Sequence, residues 1–142
     1  LGRFLAAEKK LNVQWRDAAF SAPAIAGQRF DAALILSVFQ WMAAGGERLA
    51  AATEELRAIA QASECLIFEL GFNRGKSCLK TSRWNHYAEL VRLLGEATGY
   101  RHFKLLGQAQ IWRGSPRFLV LCSQRAEFED SAPRRILRSI RI

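Results

Sequence analysis

Among 142 residues the chain has only two histidines, three cysteines, three prolines and one methionine. Cys65, Cys78 and Cys122 are an odd set with no paired spacing, which argues against a zinc motif and a disulfide framework, so no metal site is expected. Unpaired cysteines of this kind predict a reducing, cytoplasmic setting. Proline and glycine together fill 13 positions, too few for a collagen-like or low-complexity chain. The longest apolar-rich stretch, residues 32–44, is broken by Ser37 and Gln40. It falls short of the ~20 residues of a membrane span. The first residues do not show the charged start, apolar middle and small-residue cleavage site of a secretory signal.

Half of the residues are hydrophobic and 24% are charged, a balance that suits one globular domain rather than a disordered chain. The net charge is +8, and it is unevenly spread. Residues 1–70 carry 7 basic and 8 acidic side chains, whereas residues 71–142 carry 14 basic and 5 acidic ones. Two readings stay open. The second half is a solvated basic face with an arginine-rich tail, or it attracts phosphate, nucleic acid or an anionic membrane surface.

Periodicity gives the coarse elements. Residues 1–10 read as the end of a helix, and residues 13–15 as a short strand. A loop with Ser21, Pro23 and Gly27 follows. Phe30 to Val38 is a nearly continuous apolar run, which predicts a strand buried on both faces. Leu49, Ala52, Leu56 and Ile59 recur at spacings of three and four, so a helix is expected over 46–61. Residues 64–70 form a second buried-strand candidate, and residues 71–84 read as a loop. Asn85 is placed to cap a helix over 86–98 that Gly99 stops. Residues 101–112 and 118–122 then read as strands joined by a turn at Gly114 and Pro116, with antiparallel pairing. Strands alternating with helices imply an α/β layer with a mainly parallel sheet.

Three segments resemble class I S-adenosylmethionine-dependent methyltransferases. These are FDAALILSVFQWM at 30–42, WRDAAF at 15–20, and the closing helix, Gly99-Tyr100, strand, turn and RFLVLCS. The resemblance covers residues 1–124, the C-terminal two thirds of such a domain, and leaves 125–142 as a basic tail. It implies a Rossmann-like methyltransferase sheet, mainly parallel with a C-terminal antiparallel strand pair, lacking the first two strands. The implied strand order is 3-2-1-4-5-7-6, of which this chain supplies 3, 4, 5, 6 and 7. The Gly-rich loop and the acidic residue after the second strand, which hold the cofactor in that family, are absent. The Pro-Gly-Gly turn often seen before the fifth strand is replaced by AQASE at 60–64. The chain is therefore expected to be a fragment of a longer enzyme, with an unpaired edge along residues 30–38.

The resemblance also assigns roles. Asp17 and Ala18 would hold the adenine of S-adenosylmethionine, although Asp17 also reads as a loop carboxylate beside Arg16. Leu36, Ser37 and Val38, at the end of their strand, would line the cofactor, because ligands of open α/β sheets bind beyond the carboxyl ends of the strands. Gln40 and Trp41 would face the acceptor or pack locally. Methyl transfer from a sulfonium needs alignment more than acid–base chemistry, and a base only where the acceptor must lose a proton. His86 and Glu69 are the candidates for that base. Asp31 and His102 read as structural.

GFNRGKS at 71–77 is one residue short of a phosphate-binding P-loop and lacks a strong helix start behind it. The expected function is methyl transfer to an unidentified acceptor, most simply a small molecule. RNA is the acceptor in a second reading, with Arg74, Lys76, Lys80 and Arg83 as the contact patch. A third reading is a non-catalytic Rossmann-like binding module.

Overall fold

The computed structural model describes residues 20–70, 86–112 and 115–126. The expected helix over 1–10, the strand at 13–15, Asp17, Ala18, the Asn85 cap, the basic patch of 71–84 and the tail from 127 onward lie outside these residues.

Two short apolar runs rich in Ile, Leu and Phe become parallel neighbours, β1 (Phe30–Leu36) and β2 (Ser63–Glu69). Parallel strands need a long crossover. Here it consists of a one-turn helix α1 (Phe39–Met42), a 3-10 turn at Ala44–Gly46 and the helix α2 (Leu49–Ala62). After β2 the chain enters α3 (Tyr87–Thr98), then β3 (His102–Trp112) and β4 (Ser115–Ser123). The sheet order is β1-β2-β4-β3. β4 runs antiparallel to both of its neighbours, so β1, β2 and β3 point the same way. The described sheet is therefore mixed rather than mainly parallel, with one parallel and two antiparallel neighbour pairs.

Local chemistry sets the boundaries. Helix α2 begins at Leu49 rather than at 46, because Gly45 and Gly46 adopt φ of 68° and 104°. Those values lie in a region that glycine enters freely and that no helix continues through. Gly99 closes α3 at φ 76°, and its N–H meets the Gly95 carbonyl at 2.8 Å. That left-handed residue is the usual helix stop. Pro116, expected in the turn, instead stands second in β4 opposite Gln110. A proline at the start of a strand costs little, since the hydrogen bonds it cannot donate fall at the ragged end of the ladder. Leu106 falls at a register shift between Leu105 and Gly107 and is exposed.

The core lies between the sheet and the two longer helices. Ile35, Leu66, Phe68, Val120 and Cys122 from the strands meet Ala52, Leu56, Leu90 and Leu94 from α2 and α3. Phe39 of α1 packs edge-on to Phe68, with ring centroids 5.7 Å apart. Each such Leu or Phe contributes roughly 1.5–3 kcal/mol by burial.

The expectation that residues 30–38 are buried on both faces is not met. Within β1 only Ile35 is buried, while Leu34 is 62% exposed and Phe30 and Leu36 are also exposed. Alternation explains this. Ala33 and Ile35 share the helix side with Leu66 and Phe68, whereas Leu34 and Leu36 lie opposite Ile67 and Glu69 on the other face. Among the described residues no helix covers that second face, and β1 is an edge strand. The strand also stops at Leu36, earlier than expected, because Ser37 turns to φ 57°.

Candidate functional site

β1 and β2 end side by side, and β4 begins beside them. Leu36 pairs with Glu69, and Glu69 pairs with Leu119. Arg117, two residues before Leu119, therefore shares its face with Glu69. Sheet geometry thus gathers three polar side chains from distant parts of the chain. The Ser37 hydroxyl donates to Glu69 Oε2 at 2.6 Å. Arg117 donates through Nη2 to the Ser37 hydroxyl at 2.6 Å, and through Nε to Glu69 Oε1. Nη2 also forms an ion pair with Glu69 Oε1. The Arg117 and Glu69 side chains are 20% and 12% exposed, so the pair is largely withdrawn from water. A fork-shaped guanidinium suits two simultaneous contacts of this kind.

The backbone completes the corner. Ser37 N–H donates to the Glu69 carbonyl at 2.9 Å, one bond beyond the strand. The left-handed Ser37 turns the chain into α1, and this conformation costs a residue other than glycine about 1–2 kcal/mol. Gln40 is 3% exposed and donates from Nε2 to the Ser37 carbonyl at 3.0 Å. Its Oε1 is buried with no hydrogen-bond partner among the described residues. Val38 and Trp41 project outward, and Trp41 is 66% exposed. The corner is thus a charged, well-fastened base under a rim of exposed apolar side chains.

Of the residues named from sequence, the structure brings Leu36, Ser37, Val38, Gln40, Trp41 and Glu69 to this one corner. His86 is exposed and stands just ahead of α3. Tyr87, next to it, meets the Phe118 ring at 5.5 Å, which places the start of α3 at the same end of the sheet as Arg117. Asp31 lies at the other end of β1, beside a cavity of about 340 Å³ lined by Arg29, Phe30, Asp31, Ala62, Ser63 and Glu64. That cavity is open and far from the clustered polar groups. Arg117 was not among the residues named from sequence. The only signal for it is an arginine ahead of the apolar run FLVLC and a glutamate at the end of another, CLIFE. Their pairing depends on register, which the sequence does not display.

Among the described residues no group of three His, Cys, Asp or Glu side chains is arranged to hold a metal ion. No described helix is long and apolar enough to cross a membrane. Burial pushes the Cys122 thiol up to about 12, so this cysteine is a packing residue and a poor nucleophile.

Solved structures of WbdD share this fold. One, a crystal structure at 2.2 Å, matches with a TM-score of 0.61 and 20% identity over 86% of this chain and 27% of that one. Another, described as the bifunctional kinase-methyltransferase WbdD, matches with a TM-score of 0.58 and 21% identity over 86% and 26% of the two chains. The chain thus spans about a quarter of the length of WbdD. No family model matches it. No curated protein matches it either.

Proposed function

We propose that the chain is part of a class I S-adenosylmethionine-dependent methyltransferase and that the corner at Leu36–Trp41 forms one side of its cofactor and acceptor site. The observation that carries this reading is the Ser37–Glu69–Arg117 cluster at the carboxyl ends of two parallel strands, where open α/β sheets bind ligands. The WbdD-like fold supports it, since WbdD is described as a kinase and a methyltransferase. The resemblance of residues 30–42 to the fourth strand of methyltransferases favours the second of those activities.

The corner fits such a cofactor in kind. Exposed Leu36 and Val38 offer apolar contact to a ring or a thioether chain. The unpartnered Gln40 Oε1 is an acceptor suited to an amine or hydroxyl donor. Asp17 and Ala18 remain the proposed adenine contacts. The chemistry supplied by the bound sulfonium is an already activated methyl group. The task left to Leu36, Ser37, Val38, Gln40 and Trp41 is to orient donor and acceptor and to exclude water. Both Glu69 oxygens are occupied by Arg117 and Ser37, so the proposed duty of a base, where an acceptor needs one, falls to His86. The acceptor is most simply a small molecule.

Calorimetric titration of S-adenosylhomocysteine into the chain, and into a version extended upstream, tests the reading. Binding by the extended version is the expected result. Binding by neither overturns it and leaves a non-catalytic Rossmann-like module.

A further inference from the structure

We infer that Arg117 is the positioning residue of the proposed site: from β4 it reaches across β2 and holds the Ser37 turn in the one shape that presents Val38, Gln40 and Trp41 to a ligand. This rests on the methyltransferase reading for the ligand, though not for the geometry.

Four observations carry it. First, Ser37 has a left-handed backbone that is unfavourable for serine, so surrounding contacts must hold it there. Second, β1 is an edge strand whose described pairing is with β2 alone, which leaves the turn little support from the ladder beyond Ser37 N–H to Glu69. Third, among the described residues, the long-range side-chain contacts that Glu69 and Arg117 make with the turn both end on the Ser37 hydroxyl. Fourth, Arg117 stands 80 positions along the chain from Ser37, so its contact ties β4 to the end of β1 where a ligand would bind. The hydroxyl has a single proton and gives it to Glu69, while one of its lone pairs takes the Arg117 N–H. Ser37 therefore has no hydroxyl proton left to give a ligand and serves it chiefly through the backbone it fixes. Lysine at 117 keeps the charge but loses the fork, and cannot meet Glu69 and Ser37 as a planar guanidinium does.

The test uses Trp41 as the reporter. Labelling with 5-fluorotryptophan gives four fluorine resonances, one for each tryptophan, and the Trp41→Phe variant assigns that of Trp41. In Arg117→Met the Trp41 resonance is expected to move toward its position in the unfolded chain while the other three hold. Arg117→Lys is expected to restore only part of the shift. The affinity for S-adenosylhomocysteine, measured on whichever version binds it, is expected to fall about tenfold in the Met variant. Should methionine at 117 unfold the chain, Glu69→Gln, which keeps the shape and removes the charge, carries the same readout. A Trp41 resonance that stays in place in a folded Arg117→Met or Glu69→Gln variant overturns the inference. If no version binds the ligand, the methyltransferase reading fails, and the Trp41 shift still decides whether Arg117 holds the turn.

Discussion

The two ends of the sheet are fastened by different chemistry. At the end where β1 and β2 begin, the buried Tyr100 hydroxyl sits 3.1 Å from the Ala60 carbonyl and 2.9 Å from the Ser63 carbonyl. This clasp is neutral and grips backbone. At the end where β1 and β2 finish, the clasp is the Arg117–Glu69–Ser37 cluster, which is charged and built from side chains. A neutral grip on backbone specifies how α2 hands over to β2 and asks nothing of a ligand. A charged pair taken largely out of water is a poor way to gain stability alone, because desolvation offsets much of its attraction. Its use here is to fix the direction of a turn.

The largest expected effect tests that contrast directly. Arg117→Met leaves Glu69 without its cation and should cost about 3 kcal/mol of stability, near the lower end for breaking a buried pair because both side chains keep some exposure. Chemical denaturation measures it. A loss under 1 kcal/mol would make the charged end no more than a surface ion pair. At the neutral end, Tyr100→Phe strips the partner from two carbonyls and should cost about 2 kcal/mol while leaving ligand affinity unchanged. A change in affinity would erase the division between the ends.

Alkaline pH separates the ends further. Burial raises the Tyr100 hydroxyl above its ordinary value of 10.0, and raises the Cys122 thiol from 9.0 to about 12. Both groups are neutral in the fold and ionise more readily in the unfolded chain. Stability is therefore insensitive to these two groups below pH 9 and is lost as pH rises from 9 toward 12, by up to about 1.4 kcal/mol per pH unit for each group. Cys122→Ala should flatten the decline of melting temperature with pH over that window. An unchanged slope would mean that the thiol does not contribute. The smallest effect is expected at Gln40. Gln40→Met removes a bond to the Ser37 carbonyl together with an unpartnered buried oxygen, and should change stability by less than about 1 kcal/mol. A large loss would show that Oε1 has a partner in solution.

Much of the fold was legible in the sequence. The stripe Leu49-Ala52-Leu56-Ile59 marked α2, and Gly99 marked the stop of α3, because helical period and a left-handed glycine are local properties. Pro116 misled, since a proline signals a turn equally whether it sits in one or just beyond one. The apolar run of β1 suggested burial on both faces, but side chains record what a strand can bury and not what covers it. Within the site, Ser37, Gln40, Trp41 and Glu69 could be named because the family resemblance gives a role to the ends of the apolar runs where they stand. Arg117 could not, because its role exists only once β4 is inserted antiparallel between β2 and β3.

By itself the sequence determined β1, β2, the two longer helices and their alternation, which follow from short-range periodicity and local motifs. Only the tertiary structure decided which face of β1 packs on the helices, which strands are neighbours and which arginine meets Glu69. Those outcomes depend on register and strand order, and contacts spanning 80 residues leave no mark in any local pattern.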